Sequence, residues 1–557
     1  MRRAMCLVAS IVSVSLIAII VINISTDVIA DTNNDLLLLD LPGQGLIRGG
    51  KTYSAWTNQT IFQFLGVPFA ESPSGALRFK APVERLPWKN IRDASKYGLR
   101  CPEINTINNN NLNDDLEDCL NLCVYSKNLI ERRPVIFYVY GGGFYNGSSQ
   151  DHPPHYLLEK DIVLVVTQYR VGALGWLSTQ TKEMPGNSPV LDVMLALQWV
   201  QKFIHLFGGD PEQVTIMSQS AGATVTGMLM ISPKTPDGLF KRAIIQSGSI
   251  LATWATNNHP LDLTKKVCNR LCAKCDEIED IYGCLNKVDI LSILKASTDL
   301  SFGMTINDVH GVMPHTPIEL LNKKSNCYPI MTGSTKHDGT FVLATIYDAL
   351  KASIGNMSLI TPREFSSKMF DESNEEDITG LARNLLTTLL YNATELDGND
   401  HKKLIPSYID QAGSMFIKSP IFTFAMNIAK KKCPTYVYSF DYEGEWSRFG
   451  YEFGNEHYPF NGGAHHSNDN IYLFSTHTLN GKDTEISKKM VSLWTSFAIE
   501  GVPGTENAPV LLPLQKETGP YFHIDETISV GTDFFEELRV AVNDPRKEEL
   551  IRPDVEF

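Results

Sequence analysis

The sequence predicts an α/β fold in which a central, mostly parallel sheet is flanked by helices on both faces. Two observations predict it. The apolar run Pro134 to Val139 leads directly into Tyr140-Gly141-Gly142-Gly143-Phe144, and the run Gln213 to Met217 leads directly into Ser218-Gln219-Ser220-Ala221-Gly222. Short apolar runs bounded by small turn residues read as buried strands.

The second turn presents a serine. Small neighbours let the backbone turn sharply from strand into helix while the Ser220 hydroxyl stays exposed, as in the nucleophile turn of α/β-hydrolases. The glycine run before it leaves backbone N–H groups able to face a carbonyl oxygen as it becomes negative. Either motif alone is a weak signal; their order and their place after strand-like runs give them weight.

A serine nucleophile needs a base, and the base needs an orienting acid. In α/β-hydrolases both follow the serine, acid before histidine. Tyr328 to Gly333 reads as a short buried strand that enters the loop Ser334-Thr-Lys-His-Asp-Gly-Thr340, where Asp338 precedes a glycine. Further on, Gly463-Ala-His-His466-Ser-Asn-Asp-Asn-Ile-Tyr-Leu-Phe474 is a loop before a helix. Asp338 is the candidate acid, His466 the candidate base, and His465 a neighbour that shapes the loop.

With these residues in place, the chain resembles the type-B carboxylesterases, the family of cholinesterases and carboxylesterases, from about Gly45 to Asp544. The resemblance rests on Phe64-Leu-Gly-Val-Pro-Phe-Ala-Glu71, Ala76-Leu-Arg-Phe79, Glu117-Asp-Cys-Leu120, Tyr169-Arg-Val-Gly172 and Phe207-Gly-Gly-Asp-Pro211. Gln246-Ser-Gly248 and Trp494-Thr-Ser-Phe-Ala498 continue the series. It implies Ser220 as nucleophile, Asp338 where relatives often have Glu, His466 as base, and the N–H groups of Gly142, Gly143 and Ala221 as an oxyanion hole. It places Trp254 on the acyl side of a substrate pocket beside Gln219. It also implies a Cys101–Cys119 disulfide and buried ion pairs Arg78–Glu117 and Arg170–Asp192. Cys327 and Cys433 each start a strand-like run, and the implied fold sets these two parallel strands side by side, so a Cys327–Cys433 disulfide is expected.

The departures from the family pattern are local. Ser218 stands where Gly is usual, and its Cβ is expected to strain the turn. Asn121 and Cys123 replace Tyr and Asn, and Asp192-Val193 replaces Asp-Gln. Gln219 stands where cholinesterases carry Glu; juvenile hormone esterases resemble the chain at this position.

Length and composition fit a large enzyme. The 557 residues show no Pro/Gly/Ser-rich linker, so residues 31–557 read as one hydrolase domain. A formal net charge of −14 argues against nucleic acid as a partner. The polar run Asn108 to Asp115, the charged stretch Glu372 to Asp377 and the end Lys430-Lys-Lys432 read as solvated surface.

Residues 1–30 read as a secretory signal with cleavage after Ala30; the rival is an uncleaved signal-anchor that would tether the protein to a membrane. Removing Cys6 with the signal leaves an odd number of cysteines, so at least one is unpaired within the chain. Cys284 is expected to pair with Cys272 or Cys275, and zinc at Cys272-Ala-Lys-Cys275 is disfavoured in a secreted chain. Sequons occur at Asn58, Asn146, Asn356 and Asn392, of which Asn146 is expected to be too buried for glycosylation.

The function these readings imply is a secreted serine carboxylesterase acting on neutral, fairly hydrophobic esters through an acyl-enzyme, with no metal or organic cofactor. The alternative is a catalytically silent, esterase-like adhesion protein. The oligomeric state is not legible.

Overall fold

The computed structural model describes residues 28–30, 37–104, 115–371, 387–454, 457–505 and 508–557. Nearly all of the proposed signal, most of the run Asn108 to Asp115 and the stretch Glu372 to Asp377 lie outside the described residues.

Among the described residues a sheet of 14 strands forms the centre of the fold. At its centre Val163–Thr167, Arg133–Val139, Gly209–Gln219, Arg242–Gln246, Ile330–Thr335, Thr435–Phe440 and Tyr521–Ile524 lie side by side, each parallel to the next. Most of these strands are buried along their whole length. This explains why they read as continuous apolar runs and not as alternating patterns: helices cover both faces of a parallel sheet. The covering helices include Ser188–Phe203, Ala221–Ile231, Ser419–Lys430 and Gly481–Glu500. Antiparallel strands extend the sheet at both edges, through Asn121–Ser126 and Thr60–Pro68 on one side and Ile528–Gly531 on the other.

One strand is longer than its apolar run. Gly209–Gln219 includes Gly209-Asp-Pro211, a sequence that reads as a turn. The Pro is tolerated because the pairing with Arg133–Val139 slips register there, as proline requires within a sheet.

The parallel order has a functional consequence. The chain leaves Arg133–Val139 into the glycine run, Gly209–Gln219 into Ser220, Arg242–Gln246 into Ser247 and Ile330–Thr335 toward Asp338. All four exits lie at the carboxyl edge of the sheet, where open α/β sheets bind ligands.

Four disulfides tie the described residues: Cys101–Cys119, Cys268–Cys275, Cys272–Cys284 and Cys327–Cys433. Cys268 lies in the last turn of the helix Pro260–Leu271 and Cys272 just past its end, and each takes its own partner. Cys268 is a bridging residue that sequence reasoning did not assign. The three neighbouring sulfurs of Cys268, Cys272 and Cys275 are all consumed by these bonds, which removes the thiolates a zinc ion would need. Cys327 and Cys433 lie just before their strands and not at the first residues; Ile330 pairs with Thr435, and the two cysteine Cα atoms are 5.6 Å apart. Cys123 is the buried thiol left over.

Both ion pairs are present and buried. Arg170 donates from Nε and Nη2 to Asp192 at 2.8 and 2.6 Å and from Nη1 to the Lys80 carbonyl at 2.7 Å. Arg78 holds Glu117 in the same bidentate way and turns its third nitrogen to the Val288 carbonyl at 2.7 Å. In each case the rest of the guanidinium is satisfied by backbone, which a buried charge requires. The Lys430–Lys432 end is less solvated than expected. Lys431 is half-buried and donates to the Leu321 and Lys324 carbonyls, because its aliphatic stem reaches back over the helix Pro317–Lys323.

Candidate active site

Ser220 occupies the junction between the strand Gly209–Gln219 and the helix Ala221–Ile231, with φ 53° and ψ −124°. A non-glycine residue reaches this conformation only where its surroundings enforce it. Here the Ser220 N–H donates to the Gln246 carbonyl at 2.8 Å, and Gly222 packs so closely beneath the Val139 and Tyr140 carbonyls that any Cβ would overlap them. The expected strain at Ser218 is not found. Ser218 lies within the strand proper, with its hydroxyl 3.3 Å from the Ile244 carbonyl, so the tight turn falls on Ser220.

The glycine run curls over this junction. Gly142 has φ 119°, and a Cβ there would collide with Asn146. Among the described residues, the N–H groups of Gly142, Gly143 and Ala221 donate to no other group. Ala221 is also the first residue of its helix, where free N–H groups and the helix dipole favour negative charge.

Asp338 precedes the helix Gly339–Ile354 and is fully buried. One carboxylate oxygen lies 2.5 Å from His466 Nδ1. The other accepts from the Ser247 hydroxyl at 2.8 Å and the Thr335 N–H at 2.9 Å. With both oxygens engaged the carboxylate is fixed, and the imidazole carries its proton on Nδ1. Nε2 is left as an acceptor toward Gln219, whose amide nitrogen is 3.1 Å from it and 2.6 Å from Ser467 Oγ. Phe341 packs on the imidazole at 4.8 Å between ring centres.

The electrostatics follow from this burial. Burial resists ionisation of Asp338, but the charge and hydrogen bond of His466, with Ser247 and Thr335, overcome it and hold the carboxyl below its ordinary range. Burial likewise opposes a charged His466, yet Asp338, then Glu452 and Asp469, outweigh it and raise the imidazole above its ordinary value. A protonated base cannot take a proton from serine. kcat/KM should therefore rise with pH through an apparent pKa above the ~6.5 of free imidazole and be lost below it. A pH–rate profile with its acid limb below that value would contradict the assignment of His466.

Ser220, His466, Gln219, Gly142 and Gly143 line one cavity of about 580 Å³, with Asp338 behind the imidazole. Aromatic residues Tyr145, Phe341, Tyr451, Phe453 and Phe474 share its wall. So do charged groups held in ion pairs, two guanidiniums against three carboxylates: Arg100 with Glu103 and Asp151, and Arg448 with Glu452. Trp254 is not among the lining residues. Its indole donates to the Phe416 carbonyl at 2.8 Å, which turns the ring into the seam between two hydrophobic clusters. His465 sits beside the base, within 2.6 Å of Thr340 Oγ1 and 3.4 Å of Glu452. Asn146 is half-buried and faces the cavity, whereas Asn58, Asn356 and Asn392 are exposed.

Sequence reasoning missed Ser247 as the second partner of Asp338 and Arg448 to Phe453 as a cavity wall. Gln246-Ser-Gly248 was visible as a motif, but nothing in it shows which loop its serine faces.

A strand-to-helix serine, a buried Asp–His pair and a loop of free N–H groups at the carboxyl edge of a parallel sheet are the parts of an α/β-hydrolase site suited to acyl transfer. The chain belongs to the carboxylesterase family, whose model matches residues 37–542. It is 30% identical to juvenile hormone esterase of Tribolium castaneum over 82% of this chain and 83% of that protein. It is 30% identical to esterase FE4 of Myzus persicae over 86% of this chain and 87% of that protein. To glutactin of Drosophila melanogaster it is 27% identical over 87% of its own length, and the match spans 49% of that longer relative.

Proposed function

We propose that the protein is an exported serine carboxylesterase that prefers neutral, fairly hydrophobic esters. The observation that carries the reading is the pairing of His466 Nδ1 with Asp338 at 2.5 Å while Nε2 faces the cavity that Ser220 shares. In the first step Ser220 Oγ attacks the ester carbonyl carbon and passes its proton to His466 Nε2. The Gln219 amide must give way from Nε2 as it does so. The carbonyl oxygen becomes an oxyanion against the N–H groups of Gly142, Gly143 and Ala221. The intermediate collapses, the C–O bond to the alcohol breaks, and imidazolium returns the proton to that oxygen. Water then repeats the sequence on the acyl-enzyme and releases the acid.

Selectivity for uncharged esters is supported by the neutral Gln219 beside the nucleophile and by the Cys101–Cys119 loop, whose sequence from Pro102 to Asp118 holds no aromatic residue. A cationic choline group is held through a ring face and a free negative charge. The test compares a choline ester with its isostere in which carbon replaces nitrogen. The expected result is a higher kcat/KM for the uncharged isostere; a clear preference for the cation would defeat the reading. Export is supported by the four disulfides, which persist in oxidising compartments.

A further inference from the structure

We propose that His337 is a positioning residue that fastens the loop carrying His466 to the loop carrying Asp338, a role that rests on the reading of those two residues given above. Asp338 and His466 come from separate segments, and their pairing depends on how the two loops are held. His337 is where they are joined. Its N–H donates to the Ala464 carbonyl at 3.0 Å, and the Ala464 N–H donates back to its ring Nδ1 at 3.1 Å. The two loops thus meet in a short parallel bridge, His337 beside His465, in which a side chain supplies one of the acceptors. Gly463, at φ 56°, lies so close to the imidazole that a Cβ there would overlap it.

A second contact reinforces the first. Thr340 Oγ1 lies within hydrogen-bonding distance of the carbonyls of His337 (2.7 Å) and Gly462 (3.0 Å) and of His465 Nδ1 (2.6 Å). Together the two residues grip Gly462 to His465, the four residues immediately before the base.

The clamp requires a neutral ring, since Nδ1 can accept from Ala464 only while it carries no proton. His337 is 1% exposed. Its burial, followed by the charges of Lys336 and Lys418, holds its pKa down at about 3 against the pull of Asp544 and Asp441. The remaining carboxylates at the ring are distant for hydrogen bonds: Glu443 is 3.8 Å from Nδ1, and Asp544, itself bound to Lys336 at 2.5 Å, is 3.8 Å from Nε2. The clamp is therefore set throughout the working range of the base.

Asparagine and glutamine separate this role from simple space filling. The carbonyl oxygen of His337→Asn can stand where Nδ1 stands; that of His337→Gln reaches the place of Nε2. The experiment measures kcat, KM, thermal unfolding and the downfield proton resonance of the His466–Asp338 hydrogen bond in both variants. For His337→Gln we expect kcat about 100-fold lower, the loss typical of a misplaced catalytic group, with KM little changed and the resonance lost or shifted upfield. For His337→Asn both should lie close to the wild type. Equal kcat and equal resonance in the two variants, or a His337→Asn protein that fails to fold, would overturn the proposal. The resonance reads the loop geometry without turnover. If the wild-type protein hydrolyses no ester but the resonance behaves as stated, the esterase reading fails and the clamp stands.

Discussion

Replacing Ser220 with alanine should reduce kcat for a neutral ester by about a million-fold, the scale seen when a triad nucleophile is removed. It should also abolish covalent labelling by a fluorophosphonate. The size of the effect follows from the geometry: the free N–H groups and the cavity would persist, but no oxygen would remain to form the acyl-enzyme. The fold should be unaffected, because the Ser220 anchor in the sheet is its backbone N–H to Gln246 and not its side chain. Peptide mapping after labelling of the unsubstituted protein checks the assignment directly. Modification at Ser218 or Ser247, or turnover that survives the substitution, would remove Ser220 from its role. Complete absence of labelling in the unsubstituted protein would favour the silent, adhesive alternative.

The second large effect is on stability. Arg170→Met should destabilise the protein by about 3–5 kcal/mol, because it leaves the buried Asp192 carboxyl without its partner. Asp192 is fully buried and also accepts the Arg170 backbone N–H at 3.1 Å, which cannot by itself compensate a charge. The double variant Arg170→Met with Asp192→Leu should recover much of that loss, since two apolar groups of similar volume need no partner. Denaturant unfolding of both variants provides the comparison. A single variant as stable as the parent would show that the pair is not what holds the Tyr169–Gly172 corner to the helix Ser188–Phe203.

The parts of the site that were legible in the sequence are those in which a residue type is tied to a turn. Ser220 and the run Gly141 to Gly143 announce themselves because few side chains tolerate such turns, and Asp338 and His466 follow from chain order. Cys101–Cys119 and the two ion pairs came through resemblance, which carries spatial neighbours that a single sequence cannot. What stayed hidden depends on the registry between loops. Ser247 reaches Asp338 because its strand runs beside the one that leads to Asp338, and His337 reaches Ala464 because two loops far apart in the chain meet there. Trp254 shows the same limit from the other side: resemblance placed it at a pocket but could not show that its indole donates to the Phe416 carbonyl. Cys268 was overlooked because a helical spacing of four places two cysteines together without any local sign of which distant sulfur each will meet.

The Cys327–Cys433 bridge closes a loop of 106 residues that contains Asp338, its helix and everything as far as the next strand of the sheet. The candidate acid is thus carried on a covalent ring that takes in the strand Ile330–Thr335 and closes just short of its neighbour Thr435–Phe440. A single break anywhere on that ring would open it without parting the chain, because the two pieces would still be joined through the sulfurs at its base.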